Sequence, residues 1–225
     1  MRRRSLIATG LAAGLATTRA HAAETPVVLE LFTSQGCSSC PPADALLGEL
    51  ARQPNVFALA FHVDYWNRLG WPDPFASRTW TDRQRAYARQ LGTEVYTPAL
   101  VVNGAAMVVG SNRGAVARAM RDASALPVPL TLRRDGAHLL ATIDRPPPDA
   151  SLALAVYDPE RVTDVRAGEN GGRKLREFQI VRELRPLAGV SGTVRLAGID
   201  ATQGAVLLLR DAAGRMIGAA ETRAS

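Results

Sequence analysis

Two cysteines, Cys37 and Cys40, are the only ones in this 225-residue chain, and they stand two residues apart. A disulfide between them closes so short a loop that it removes little entropy from the unfolded chain, whereas a stabilisation of about 3 kcal/mol needs a loop of roughly fifteen residues. The pair is a poor staple but a suitable redox couple. Pro41 and Pro42 follow, tolerable in a helix's first turn, and Ala43, Leu46, Leu47 and Leu50 then recur on one helical face. A helix start favours a thiolate, so Cys37 is expected as the nucleophile and Cys40 as the resolving thiol. A structural zinc site needs a fuller ligand set, and after residue 22 only His62 and His138 could join the cysteines. Haem attachment needs histidine after the second cysteine, where Pro41 stands. An inert pair is the remaining alternative.

The elements that must hold this pair are legible on either side of it. Val27 to Phe32 is short and almost wholly apolar, which suits a strand buried on both faces, and it ends at the turn formers Ser34-Gln35-Gly36. Val56 to Val63 gives a second such strand. Asp64 to Trp71 shows no period, and Pro72 and Pro74 break it. Phe75 to Leu91 reads as a helix with Gly92 as its C-cap. Ala99–Val102 and Met107–Val109 form a hairpin around Asn103-Gly104, and a helix from Arg113 to about Ser124 is capped by Ser111 or Asn112. After Pro127 and Pro129 the pattern changes to seven short strands with Asp135-Gly136 and Ala213-Gly214 as turns, the signature of an antiparallel sandwich without helices.

The N-terminus reads as an export signal. Arg2, Arg3 and Arg4 precede an uncharged stretch from Leu6 to Thr18 and a cleavage site at Ala20-His21-Ala22. Arg3-Arg4-Ser5-Leu6-Ile7 also fits a twin-arginine signal. The expected organisation is therefore a signal peptide over 1–22, an α/β domain over 23–126 with an aromatic-rich insertion around 64–91, and an all-β sandwich over 127–225. The formal charge of +6 falls to +2 without the four arginines of residues 1–22, and no basic run remains. Nucleic acid is not an expected partner. The signal's apolar stretch is too short to span a bilayer, and no later stretch approaches that length.

Cys37-Ser38-Ser39-Cys40-Pro41 between strand and helix, together with Tyr96-Thr97-Pro98 before the hairpin, resembles the thioredoxin superfamily over about residues 26–125. The resemblance implies a thioredoxin-like fold, a cis Thr97–Pro98 bond facing the cysteines, and disulfide exchange with protein thiols or disulfides, without a dissociable cofactor. Glu30-Leu31-Phe32-Thr33-Ser34-Gln35-Gly36-Cys37, His62-Val63-Asp64-Tyr65-Trp66 and Gly168-Glu169-Asn170 are similar, more closely, to an exported bacterial thioredoxin-like family described as a domain of unknown function, number 1223. That likeness spans most of residues 23–225 and implies no substrate. The expected function is a periplasmic or secreted thiol–disulfide oxidoreductase.

Several residues admit two readings. Glu30, one position away from the superfamily's pattern, is either a buried proton acceptor for the resolving thiol or a charge facing outward. His62 is either a hydrogen-bonded core histidine or, with Cys37 and Cys40, part of a copper site like that of Sco-type carriers, which are also thioredoxin-like. A third reading keeps the domain as a binding platform only. All three tryptophans, Trp66, Trp71 and Trp80, fall in the insertion; they suit either a private core or a partner-binding rim beside Cys37. The glycines of Gly168–Gly172 mark a hairpin or docking loop, since no lysine or serine follows at phosphate-loop spacing.

Overall fold

The computed structural model describes residues 26–187, 189 and 191–224. The expected signal peptide lies outside the described residues. Among the described residues no helix is long and apolar enough to cross a membrane.

Strands β1 (Val27–Thr33) and β2 (Val56–His62) pair in parallel with Leu29 opposite Ala58, and helix α1 (Pro41–Leu50) connects them. Strand alternation gives each face of β1 a different neighbour. Leu29 and Leu31 pack with Ala43, Leu46 and Leu47 of α1, whereas Val28 and Phe32 pack with Trp80 and Tyr87 of helix α2 (Arg78–Leu91). Continuous apolar runs in β1 and β2 follow from this two-sided cover. Helix α2 begins three residues later than the sequence predicts, because the Ser77 side chain accepts from the Thr79 amide; it ends at Gly92 in the left-handed conformation. Strands β3 (Ala99–Val102) and β4 (Ala106–Val109) turn through Asn103 and Gly104, both at positive φ, and α3 (Arg113–Arg121) is capped by the Asn112 side chain.

The second half is all β, with β5 (Leu130–Asp135), β6 (His138–Ile143), β7 (Ser151–Asp164), β8 (Lys174–Pro186), β9 (Gly192–Leu196), β10 (Gly204–Arg210) and β11 (Met216–Thr222). The expectation of a self-contained sandwich needs correction. Strands β7, β8, β10 and β11 continue the first half's sheet, giving one eight-stranded sheet in the order β11-β10-β7-β8-β2-β1-β3-β4. The join is a parallel contact between β2 and β8, with Ala60 opposite Ile180. A separate three-stranded sheet, β5-β6-β9, covers part of this surface, with Leu139, Ala141 and Ile143 packed on Leu154, Val156 and Leu207. The molecule is thus mixed α/β with a shared sheet, and the sandwich borrows one of its layers. Strands β7 and β8 also run much further than the sequence suggests, so their connecting loop reaches the cysteines.

Candidate active site around the cysteine pair

Cys37 and Cys40 form a disulfide with Cα atoms 5.5 Å apart. Cys40 is the N-cap of α1, with Pro41 and Pro42 as the first helical residues. Those prolines carry no amide hydrogen, so the helix start offers fewer free donors to a thiolate than an ordinary one. The nearby donor is Ser39, whose hydroxyl lies 3.3 Å from Cys37 Sγ and donates to it, since a disulfide sulfur has no proton. Gly110 brings the cis Thr97–Pro98 segment to the same helix: a Cβ there would lie 2.8 Å from Leu31 Cδ1, 3.2 Å from Ala43 Cβ and 3.5 Å from Pro98 Cβ. Only glycine allows so close an approach. Thr97 Oγ1 accepts from Trp66 Nε1 at 2.8 Å.

Both cysteines are fully buried, at 0% exposure, while Ser38 and Ser39 between them are exposed. Two segments hold the cysteine loop. From the insertion, Trp66 packs against Gly36, and Trp71 Nε1 donates to Gln35 Oε1 at 2.8 Å. From the β7–β8 loop, Asn170 Nδ2 donates to the carbonyls of Gln35 and Cys37 at 2.9 and 2.8 Å, and Glu169 Oε2 accepts from the Ser38 amide and hydroxyl at 2.9 and 2.7 Å. Of the insertion's tryptophans, Trp80 is buried in the core, edge-on to Phe61 at 5.2 Å, and Trp66 packs half-buried against the same cluster.

Beneath the cysteine loop lies a buried polar cluster. Asp73 Oδ2 accepts from the Gln35 amide and pairs with His62 Nδ1 at 2.8 Å; Gln35 Nε2 donates to Glu177 Oε2 at 2.7 Å; Glu177 Oε1 is 3.9 Å from His62 Nε2. Burial pulls the His62 pKa down, but the Asp73 charge and hydrogen bond, with Glu177, more than offset this and raise it to about 9. Asp44 completes the cluster. Its amide donates to the Cys40 carbonyl, so it sits one helical turn beyond Cys40, and a helical side chain points back over the preceding turn. Burial pushes its carboxyl up to about 7, reinforced by Glu177 and Asp73 and opposed by His62. Asp44 Oδ1 and His62 Nε2 have no hydrogen-bond partner among the described residues.

Glu30, the carboxylate anticipated from sequence, lies elsewhere. It shares the α2 face of β1 with Val28 and Phe32, so it points away from α1. There it accepts from Arg83 Nε at 2.6 Å and from the Tyr87 hydroxyl at 2.5 Å. Burial raises its pKa, but Arg83, aided by Arg210 and Tyr87, holds it below the usual carboxylate range. It is a structural ion pair. The sequence signal for Asp44 is its spacing, four residues after Cys40 and three before the buried Leu47, which sets an acidic residue on a buried edge of the helix.

A family model described as a protein of unknown function, DUF1223, matches residues 28–207. The chain belongs to the DUF1223 family. Among solved structures, an Agrobacterium tumefaciens protein is similar at 33% identity and TM-score 0.75, covering 88% of this chain and 94% of that one. HBP35 of Porphyromonas gingivalis is similar in fold at 16% identity and TM-score 0.55, covering 88% of this chain and 75% of that one. No curated protein matches.

In this DUF1223 chain the copper reading finds no ligand set. His62 is engaged by Asp73, and among the described residues no group of three or more His, Cys, Asp or Glu side chains could hold a metal ion.

Proposed function

We propose that this DUF1223 protein is an exported thiol–disulfide oxidoreductase whose first half is thioredoxin-like and whose partners are protein thiols or disulfides. The observation that carries the reading is the closed Cys37–Cys40 disulfide at the start of α1, with the Asp44 carboxyl, raised to about 7, buried one turn below it. In the oxidising direction a partner thiolate attacks Cys37 Sγ. The intramolecular S–S bond breaks, a mixed disulfide forms, and Cys40 leaves as a thiolate that takes a proton from Asp44. A second partner thiol then attacks the mixed disulfide; the partner gains a disulfide and the protein pair gains two electrons and two protons. In reverse, Asp44 accepts the Cys40 proton, a task suited to a carboxyl whose pKa lies near the working pH.

The test is trapping. Cys40→Ser should hold partner proteins covalently on Cys37, while Cys37→Ser should be inactive and hold none, as read by mass spectrometry of non-reducing extracts. No adduct on either variant, with equal alkylation of both thiols near neutral pH in the reduced parent, would leave the domain a binding platform. Export is tested separately by N-terminal sequencing, which should begin at Ala23.

A further inference from the structure

The segment from Gly168 to Arg173 meets the cysteine loop at every level. Gly168 packs over Gly36, with its would-be Cβ 3.6 Å from Gly36 Cα and 3.5 Å from Trp71 Cβ. Glu169 takes both donors of Ser38, and Asn170, at 0% exposure, spans the carbonyls of Gln35 and Cys37. Arg173 Nη1 holds Asn170 Oδ1 at 2.6 Å. Glycines at positive φ, Gly168 and Gly172, stand near either end. The contacts are chemically specific: a carboxylate accepts from a backbone N–H, and a carboxamide donates to backbone carbonyls. An extended polypeptide offers the same two functions, spaced along one chain, from its own C=O and N–H groups, whereas dithiothreitol has no peptide group.

We propose that residues 168–173 form a strap over the cysteine loop, held down by Glu169 and Asn170, and that an extended polypeptide bearing a cysteine displaces them by taking their hydrogen bonds. The proposal rests on the exchange reading above. A small dithiol must wait for the strap to open by itself, while an unfolded chain replaces it. Exchange with that chain remains balanced, its two thiols becoming one disulfide as Cys37 and Cys40 become two thiols.

The experiment follows reduction of the Cys37–Cys40 disulfide in the parent, Asn170→Ala and Glu169→Gln by two probes, dithiothreitol and reduced, unfolded ribonuclease A. Two lost hydrogen bonds each shift an opening equilibrium by roughly threefold to tenfold, so Asn170→Ala should react with dithiothreitol about tenfold faster or more. The ribonuclease rate should rise by a similar factor, because the unfolded chain breaks the same two hydrogen bonds before it takes their places. Glu169→Gln keeps an acceptor and should show a smaller effect in the same direction. The redox equilibrium with glutathione should stay nearly constant, because a cover changes the rates of reduction and oxidation together. Equal dithiothreitol rates in parent and Asn170→Ala would overturn the strap. So would a rate gain matched by an equal shift in the glutathione equilibrium, which would mean that Asn170 only stabilises the oxidised loop. If unfolded ribonuclease exchanges with no form while Asn170→Ala still opens to dithiothreitol, the exchange reading falls and the shielding stands.

Discussion

Glu30 and Asp44 are both buried carboxyls close to β1, and they differ in the face of the sheet they occupy. Glu30 meets an arginine on α2 and remains ionised, its charge neutralised where it was buried. Asp44 meets a histidine already claimed by Asp73, with Glu177 also nearby, so three carboxyls share one imidazole. Full ionisation there would leave two uncompensated negative charges in a low dielectric, and the cluster is better served by keeping protons. Burial alone therefore does not identify a proton carrier. The partner does: a dedicated cation makes a carboxylate a fixed structural charge, and a contested one leaves a carboxyl free to exchange its proton.

The largest effect should come from removing the dedicated cation. Arg83→Leu strands the Glu30 carboxylate in the core and also removes the guanidinium 5.4 Å from the Phe61 and Tyr87 rings. We expect a loss of about 3–5 kcal/mol in denaturant unfolding, since breaking a buried pair is far costlier than replacing it whole. Glu30→Leu combined with Arg83→Leu should regain much of that loss. A single variant as stable as the parent would erase the contrast between the two carboxyls.

The parts of the site that sequence revealed were local. Strand, cysteine loop and helix announced themselves through apolar runs and prolines, and Asn103-Gly104 marked its own hairpin. What stayed hidden depended on pairing across long separations. Nothing near Ile180 says that its strand lies beside Ala60, and so the shared sheet was read as two units. The completely apolar Ala205–Leu209 was a clue, since a strand buried on both faces suits the interior of a larger sheet. The ends of β7 and β8 are polar, with Arg161, Asp164, Lys174 and Arg176, and polar ends read as loop. Their extension carries Asn170 and Glu177 to the site: Gly168–Gly172 was legible as a hairpin or docking loop, but its place against the cysteines, like that of Glu177 in the buried cluster, was not. Glu30 was open to two readings, and the structure buries it but pairs it with Arg83, while the carboxyl one turn from Cys40 is on the helix instead of the strand.

Asp44→Asn sharpens the comparison at the chemical step. It removes the proton carrier without removing its volume, so resolution through Cys40 should slow by roughly a hundredfold near neutral pH. The pH profile should lose its inflection near 7, while stability holds or rises because a poorly compensated buried acid has gone. Glu30→Gln should leave that inflection in place. A retained inflection in Asp44→Asn would move the proton to another group of the cluster.

The smallest effect is the stability of the cluster as pH changes. His62 has a folded pKa of about 9 against an ordinary 6.5, so its stabilisation is fully present below 6.5 and is lost as pH rises through 9. Asp44, raised from 3.8 to about 7, acts with the same sign, because the folded chain holds its proton where the unfolded chain has released it; its contribution fades between pH 4 and 7. Glu177, raised chiefly by burial, adds to that trend, whereas Asp73 and Glu30, both lowered, act on the acid side. Urea midpoints with the disulfide intact should therefore decline from about pH 6 to pH 9. In Asp44→Asn the decline should begin later, since only its histidine portion remains. A midpoint that climbs over this range would mean that His62 is neutral in the folded protein, leaving Asp44 and Glu177 without the cation that shapes the cluster, and the distinction between dedicated and contested partners would fail.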